Sequence, residues 1–326
     1  MSRHALMISA ALVGLLAAAP AMSKSQPSLY QLPLVSGSSE TLAFGVTDDL
    51  TITGFWLDSS GIENGFVGPA DGSNYTTFND DSTGGTQPRG ISKKGYVTGI
   101  DDVESGNPLD YIPYERSPDG TITDVTMNGT TLNYLVQGIN KKDIFTGSYE
   151  NSSGDIIGYT GKNAEYSDSI DLTGITNTGV AGRGIDDAGD IVGWYLNSSG
   201  VEHGFYLPSG GTAVTIDDPN GITNPEGSNN KGEISGIYTD TSGNRHGFIY
   251  EISTQEFTEL TIPGSSYVEV WGLNDKGVVA IDGENSSGVF VGYLYCPKTK
   301  DCPSAATRTP QVPVLHRPMH VPQQIP

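Results

Sequence analysis

Residues 181–221 read AGRGIDDAGDIVGWYLNSSGVEHGFYLPSGGTAVTIDDPNG, and this stretch decides the fold. It contains four short runs rich in β-branched and aromatic residues, at residues 182–185, 191–195, 203–207 and 213–216. Clusters of Asp, Asn, Gly and Ser, which favour tight turns, separate the runs. The pattern therefore predicts four consecutive β-strands joined by hairpin turns.

The same unit recurs along the chain, and residues 226–264 show it almost as clearly. Each copy opens with a short apolar stretch, a marker glycine and a polar turn. The markers are Gly45, Gly90, Gly138, Gly184, Gly227 and Gly272. Their spacings of 45, 48, 46, 43 and 45 residues lie in the range of radial or solenoidal arrays. We number these copies repeats 1 to 6.

The two ends of the repeat array favour a ring. Repeat 6 ends after its third strand, VFVGYLYC at residues 289–296, and a Pro-rich tail follows. Before the first marker, LYQLPLV at residues 29–35 resembles FTELTIP at 257–263, the fourth strand of repeat 5. An N-terminal strand that completes repeat 6 would leave no exposed edge at that joint. We therefore predict an all-β, six-bladed β-propeller of four-stranded blades, closed by the N-terminal strand; a solenoid or split barrel is the alternative.

Two repeats also resemble a known family of secreted bacterial proteins, the HAF-type extracellular repeat. The residues are GIDDAGDIVGWY at 184–195 with HGFY at 203–206, and SNNKGEISGIY at 228–238 with HGFIY at 246–250. The resemblance extends from Phe44 to Tyr295 and weakens outside repeats 4 and 5; repeat 1 has Asn64 in place of the family's His. It implies export and a propeller-like shape, and it implies no shared activity.

The ends of the chain and its cysteines predict an exported protein. Residues 1–21 have the basic start, apolar run and small-residue exit of a signal peptide. We predict a propeller over residues 22–302, a disordered Pro-rich tail over 303–326, and a secreted or periplasmic location. No second apolar stretch is long enough to span a membrane, so we expect no membrane insertion, and we expect a monomer. Cys296 and Cys302 predict a disulfide, with free thiols as the alternative.

The composition limits the classes of partner. The formal net charge is −21, which disfavours nucleic acid and anionic lipid. We expect no cofactor, and no cluster has zinc-like spacing. Asn79, Asp81 and Thr83 begin a calcium-loop pattern, but the twelfth position is Gly90, so a structural calcium stays an open question. No G-x-S-x-G, H-E-x-x-H or P-loop motif is present, and we predict no catalytic residue.

The residue before each marker glycine lies at the start of the predicted innermost strand. Its type changes from repeat to repeat, although its position in the fold repeats. In a ring these side chains meet at one mouth of the channel: Phe44, Arg89, Gln137, Arg183, Glu226 and Trp271. Guanidinium groups can bind carboxylates and an indole can stack on a sugar face. The last five residues of the set therefore form the predicted ligand site. The alternative is that the Arg and Glu side chains simply pair across the channel.

The sequence thus predicts a binding or surface-interaction module for a glycan or a cell-envelope component. The alternative function is an extracellular hydrolase or lyase at the same mouth, with Glu226, Tyr134 or Tyr267 as acid or base. His203 and His246 occupy the same position in successive repeats, which indicates a structural role.

Overall fold

The computed structural model describes residues 27–80, 84–102, 111–284, 288–304, 308–309 and 315–318. The predicted signal peptide, most of the predicted tail, and Asp81 and Thr83 lie outside these residues. Within them the chain forms β-strands and turns, with a single 3-10 turn at Thr299–Asp301. No helix in this part of the chain is long and apolar enough to cross a membrane. The expectation of an all-β chain is confirmed.

The strands follow the predicted repeats. An N-terminal strand, β1 (Ser28–Gln31), precedes repeat 1, which contains β2 (Thr41–Val46), β3 (Thr51–Leu57), β4 (Glu63–Pro69) and β5 (Thr76–Phe78). Repeat 2 contains β6 (Gly85–Ile91), β7 (Val97–Asp102), β8 (Tyr111–Arg116) and β9 (Ile122–Asp124). Two short strands follow, β10 (Thr126–Met127) and β11 (Thr130–Thr131). Repeat 3 contains β12 (Leu135–Ile139), β13 (Ile144–Glu150), β14 (Ile156–Lys162) and β15 (Glu165–Ser169).

The second half of the array is equally regular. Repeat 4 contains β16 (Gly179–Ile185), β17 (Ile191–Leu196), β18 (Glu202–Leu207) and β19 (Val214–Ile216). Repeat 5 contains β20 (Gly221–Ser228), β21 (Glu233–Asp240), β22 (Arg245–Glu251) and β23 (Glu256–Leu260). Repeat 6 contains β24 (Val268–Leu273), β25 (Val279–Glu284) and β26 (Phe290–Cys296). Two tail strands, β27 (Arg308–Thr309) and β28 (Leu315–Pro318), complete the set.

The N-terminal strand supplies the fourth strand of repeat 6. β1 pairs antiparallel with β26, with Leu29 opposite Tyr295 and Tyr30 opposite Leu294. Leu29 and Tyr30 are fully buried, because they pack into the hydrophobic clusters that repeat 6 shares with its neighbours. The residues predicted as the missing strand therefore pair where repeat 6 lacks a strand.

The hydrogen-bonded sheets are less uniform than six separate four-stranded blades. The described residues form five sheets, because one parallel bridge between Glu63 and Gly85 joins repeats 1 and 2. β10 and β11 widen the sheet of repeat 3. β27 pairs with β1, and β28 pairs with β23. These additions lie at sheet edges, where unpaired backbone groups accept further strands. Two short stretches of the predicted disordered tail are therefore paired.

The marker glycines lie where successive first strands touch. β2, β6, β12, β16, β20 and β24 contact one another in this order, and β24 also contacts β2. A Cβ atom on Gly90 would lie 2.2 Å from the carbonyl oxygen of Gln137 in the next repeat. One on Gly184 would lie 2.8 Å from the Cα of Gly227. Only glycine permits so close an approach of two backbones, which explains the residue that defines the period.

The hairpin turn after each first strand joins neighbouring repeats at one end of the central cavity, here called the turn end. The main-chain N–H of Lys141 donates to Asp187 Oδ1 at 2.9 Å, and that of Asp187 donates to Asn230 Oδ1 at 3.0 Å. The main-chain N–H of Asn230 donates to Asp275 Oδ1, and that of Asp275 donates to Asp48 Oδ1 in repeat 1, each at 2.9 Å. Four of the joints between repeats therefore share one hydrogen-bond pattern.

A disulfide crosslinks the chain just after the last strand of repeat 6. Cys296 and Cys302 form a disulfide, which confirms the predicted pairing. Both cysteines are buried in the cluster shared by β1, repeat 1 and repeat 6. The bond therefore fixes the chain that leaves β26 against the joint at which the N-terminal strand pairs.

Candidate ligand-binding site

The predicted site residues converge at the end of the central cavity opposite the turn end, here called the mouth. The residue before each marker glycine lies on the first strand of its repeat, and the close contact of these strands brings the side chains together. Phe44, Arg89, Gln137 and Glu226 line a cavity of about 70 Å³. Arg183 and Trp271 contact these side chains directly. The set divides into two groups.

The first group is a hydrogen-bonded network across three repeats. Arg183 Nη1 donates to Gln137 Oε1 at 2.8 Å, and Gln137 Nε2 donates to Glu226 Oε2. Arg183 Nη1 also lies 3.9 Å from Glu226 Oε2, with the Arg183 side chain 15% exposed and that of Glu226 5% exposed. Burial raises the pKa of the Glu226 carboxyl, while Arg183 and Gln137 oppose the rise. The network combines a cation, an amide and a carboxyl in a small space.

The second group is an aromatic and guanidinium stack. The Phe44 and Trp271 rings lie 4.1 Å apart between centroids. The guanidinium carbon of Arg89 lies 4.8 Å from the Phe44 ring and 5.3 Å from the Trp271 ring. Burial lowers the pKa of Arg89 to about 10, so the group stays charged at neutral pH. The indole expected to stack on a sugar therefore packs instead against Phe44 and Arg89 within the protein.

Both arginines keep one unused donor. The Nε atoms of Arg89 and Arg183 are buried and have no hydrogen-bond partner in the described structure. Arg89 Nη2 donates to Gln87 Oε1 at 2.5 Å. A buried donor without an acceptor is uncommon and costs about 1–3 kcal/mol. Both Nε groups are enclosed by the protein, so two unsatisfied donors lie beneath the surface of the mouth.

Sequence reasoning missed three residues that support the mouth. Asp282 Oδ1 accepts from Trp271 Nε1 at 2.6 Å, and burial raises the pKa of Asp282 to about 8. Gln87, which holds Arg89, also donates to Glu63 Oε2. A lone Asp in the apolar run VVAID was the available signal for Asp282. Gln87 and Glu63 gave no signal, because their contact depends on the register between two repeats.

The residues named for an enzymatic mechanism do not meet. Tyr267 Oη donates to Glu269, and no hydrogen bond in the described chain joins Glu226 to Tyr134 or Tyr267. His203 stacks on Tyr195 and bonds to Asp217 at 2.8 Å, and His246 stacks on Tyr238 between Asp240 and Glu259. Within the described residues, no group of three His, Cys, Asp or Glu side chains could hold a metal ion.

The size of the cavity limits what can bind inside it. A volume of about 70 Å³ has room for a few water molecules, since one water requires about 10–15 Å³. A sugar ring does not fit within that volume. A ligand of the predicted class would therefore contact Arg183, Gln137 and Glu226 from above the mouth.

Comparison with known proteins bears on the fold. No family model matches this chain, and no curated protein matches it. The chain is similar to TolB from Acinetobacter baumannii, at 13% identity and a TM-score of 0.52, over 77% of this chain and 65% of TolB. It is similar to XC5397 from Xanthomonas campestris, a gluconolactonase, at 13% identity and a TM-score of 0.50, over 86% of this chain and 94% of that one.

Two weaker likenesses have TM-scores below 0.5. An Aleuria aurantia lectin with a six-bladed β-propeller fold matches at 11% identity and 0.45, over 93% of this chain and 98% of the lectin. A prolyl endopeptidase matches at 15% identity and 0.47, over 75% of this chain. The chain spans 40% of that endopeptidase, so it covers less than two thirds of both the endopeptidase and TolB. At 13% identity the likenesses to TolB and XC5397 bear on the fold alone, and with the strand order described above they make the chain an all-β protein with a β-propeller fold.

Proposed function

We propose that the chain is an exported, six-bladed β-propeller of the HAF type that acts as a binding module for a glycan or a cell-envelope component. Arg89, Gln137, Arg183, Glu226 and Trp271 form its ligand site in this proposal. The observation that carries it is the network of Arg183, Gln137 and Glu226. Three successive repeats contribute a different polar residue to one network, at a position that the fold itself does not constrain to one residue type.

The physical chemistry of the mouth favours a hydroxylated ligand with an anionic group. Guanidinium donors bind carboxylates and hydroxyl oxygens, and the amide and carboxyl of Gln137 and Glu226 can accept from hydroxyl groups. In this proposal Trp271 acts indirectly, because its packing against Arg89 positions the guanidinium.

A glycan array with the purified mature protein tests the binding function. We expect Arg183→Ala to weaken binding of any glycan found by at least tenfold, with the melting temperature within about 2 °C of wild type. Arg116→Ala is the control, because Arg116 is also a largely buried arginine but lies outside the mouth, over the Phe78 ring at 4.5 Å. It should leave binding unchanged.

Two outcomes would contradict the proposal. A loss of about 3 kcal/mol or more in Arg183→Ala, without any effect on binding, would assign Arg183 to the scaffold, because removing one partner of a buried ion pair carries that cost. Release of product from a bound glycan, abolished by Glu226→Gln, would favour the hydrolase or lyase alternative.

The closed ring is part of the proposal, and the contact of β24 with β2 and the pairing of β1 with β26 support it. Deleting residues 22–36 would remove Leu29, Tyr30 and Leu32 from the core and expose the edge of β26. We expect a loss on the order of 5 kcal/mol from burial alone. Deleting residues 304–326 should lower the melting temperature far less. Equal losses from the two deletions would refute closure by the N-terminal strand.

Export has a simpler test. Expression of the full chain in a bacterial host, followed by N-terminal sequencing of protein from the periplasm or the medium, should find cleavage after Ala21. An intact N-terminus on protein retained in the cytoplasm would contradict this part of the proposal.

A further inference from the structure

Near the mouth, the third strand of one repeat begins beside the first strand of the next repeat. The first residue of that third strand can therefore contact the neighbouring repeat. Between repeats 5 and 6, Arg245 at the start of β22 donates to Glu269 and to Tyr267 Oη, the latter at 3.3 Å. Its guanidinium also lies 5.8 Å from the Tyr267 ring. Between repeats 1 and 2, Glu63 at the start of β4 accepts from Gln87. In both joints the two side chains complete each other.

The joint between repeats 4 and 5 has the same framework without that contact. Glu202 begins β18 where Arg245 begins β22. Asn224 lies opposite Ile237 on the second strand of repeat 5, and Glu269 lies opposite Asp282 on the second strand of repeat 6. Both come three residues before the marker glycine of their repeat, so Asn224 corresponds to Glu269. Among the described residues, the Glu202 carboxylate has no hydrogen bond or ion pair. Asn224 Oδ1 is buried and has no partner. This joint therefore lacks the side-chain contact that pairs Arg245 with Glu269 and Gln87 with Glu63 in the other two.

A pocket lies at this joint. Its volume is about 360 Å³, and Val201, Glu202 and Ile222 are among its lining residues. Val201 is 44% exposed and Ile222 is 49% exposed, two of the four large apolar side chains most exposed in the described chain. Ile222 corresponds to Tyr267, the residue under the Arg245 guanidinium in the next joint. The pocket therefore has an apolar wall beside an unpaired carboxylate.

The charges around Glu202 do not neutralise it by contact. Burial raises its pKa, and Arg183, Arg245 and His203 oppose the rise from a distance. Each of these has its own acceptor: Arg183 bonds Gln137, Arg245 bonds Glu269, and His203 bonds Asp217. Glu202 is thus a half-buried carboxylate available to a cation that comes from outside.

We propose that this pocket binds a guanidinium group on an apolar stem. The guanidinium donates to the Glu202 carboxylate, and the stem lies against Val201 and Ile222, which line the same pocket. Arg245 is the precedent within this protein. In the adjoining joint its guanidinium binds the Glu269 carboxylate and lies over Tyr267, the residue that corresponds to Ile222. The planar fork of N–H donors suits the two oxygens of a carboxylate better than the compact charge of an ammonium group.

Chemical-shift perturbation in NMR spectra of the full mature protein tests the site, with n-butylguanidinium as the probe. We expect saturable shifts at residues 201–204 and 221–224, and binding at least tenfold weaker for 1-pentanol, which keeps an apolar stem and lacks the charge. Equal binding of the alcohol would overturn the proposal, and so would the absence of shifts at these residues with n-butylguanidinium.

Variants distinguish binding in this pocket from nonspecific attraction of a cation to an acidic protein. Glu202→Gln should weaken n-butylguanidinium binding at least tenfold, while Glu251→Gln, at an exposed carboxylate outside the pocket, should not change it. Glu202→Arg should abolish binding, since it supplies a guanidinium from the protein itself. Melting curves establish that each variant is folded. Unchanged binding in folded Glu202→Gln would refute the assignment.

The guanidinium could belong to a free small molecule or to an arginine of a partner protein. A blocked Gly-Arg-Gly peptide distinguishes these sources: tighter binding than n-butylguanidinium indicates a polypeptide, and weaker binding indicates a free ligand. If neither guanidinium probe binds and a glycan from the array binds at the mouth, this inference fails and the proposed function stands.

Discussion

The two ends of the central cavity are built from the same six strands and behave differently. At the turn end, Asn and Asp recur and bond one repeat to the next, as in the contacts of Asp187, Asn230 and Asp275. At the mouth, four residues earlier in each repeat, the side chain changes from one repeat to the next. Positions that keep their chemistry around the array hold it together. Positions that change are free of that constraint, and there a binding site can evolve.

The turn end has one irregular part, which sharpens the contrast. Repeats 2 and 3 have Lys93 and Lys141 where the others have Asp or Asn, and lysine has no acceptor for a main-chain N–H. Between these repeats Asp143 supplies the contact instead, accepting from Ser92 Oγ at 3.0 Å and from Lys94 Nζ. The joint between repeats 2 and 3 is therefore bonded by a different residue.

The largest expected effect tests whether the turn end holds the scaffold. Asn274 donates to the Thr47 carbonyl at 2.9 Å, and its Oδ1 accepts from the main chain of Lys276 and Val278. Because Asn274 is buried, Asn274→Ala should destabilise the protein by about 3 kcal/mol, roughly one for each hydrogen bond. The measurement is urea unfolding.

Asn151 is the matched control for this substitution. Its Oδ1 accepts from two main-chain N–H groups in an equivalent turn, but it makes no bond to another repeat. Asn151→Ala should cost only about 1 kcal/mol, because its hydrogen bonds lie in an exposed turn, where water can replace them. Equal losses in the two variants would mean that the bond between repeats contributes nothing, and the contrast between the two ends would fail.

The stability of the folded protein should depend on pH through Asp282, which supports the mouth. The pKa of Asp282 is raised by burial to about 8, whereas the unfolded chain has a carboxyl pKa near 3.9. Between these values the folded protein holds the extra proton, so stability falls as pH rises through this window. Asp282→Asn removes the titration and keeps an acceptor for Trp271 Nε1.

We therefore expect the stability of Asp282→Asn to rise by about 2 kcal/mol relative to that of wild type between pH 5 and pH 6.5. Urea unfolding followed by tryptophan fluorescence at several pH values measures the difference. Parallel pH profiles for the two proteins would show that Asp282 is ionised in the folded state at pH 5.

The smallest effect concerns the charge at the turn end. Lys141 Nζ lies 2.9 Å from Asp187 Oδ2, but the lysine side chain is 56% exposed. Lys141→Ala keeps the main-chain donor to Asp187, and an exposed ion pair contributes little, so the loss should stay below about 1 kcal/mol. A loss above 2 kcal/mol would assign the joint to charge rather than to main-chain hydrogen bonds.

The fold was largely predictable because it depends on local patterns. In repeat 4 the predicted strands at 191–195 and 203–207 correspond to Ile191–Leu196 and Glu202–Leu207. The disulfide followed from two cysteines and a predicted compartment. The likeness of residues 29–35 to an outer strand identified the partner of β26, since strands in corresponding positions bury similar side chains.

The candidate site was predictable only in outline. The period placed Arg89 and Arg183 together, but it could not show that Arg89 lies over Phe44 and Trp271. Glu202 and Asn224 look like ordinary turn and strand residues in the sequence. Their lack of partners appears only when the joint is compared with the pair Arg245 and Glu269, because such contacts depend on how two sheets meet.

The pairing of β1 with β26 also governs when folding can finish. Ser28 and Cys296 are opposite each other, although 268 residues (296 − 28) separate them in sequence. Hairpins within one repeat form in microseconds, whereas a contact across nearly the whole chain waits for every intervening repeat to be made and folded. Synthesis delivers the N-terminal strand first and its partner last. Leu29 and Tyr30 must therefore remain without their partner strand throughout synthesis, as a surface on which a chaperone can act.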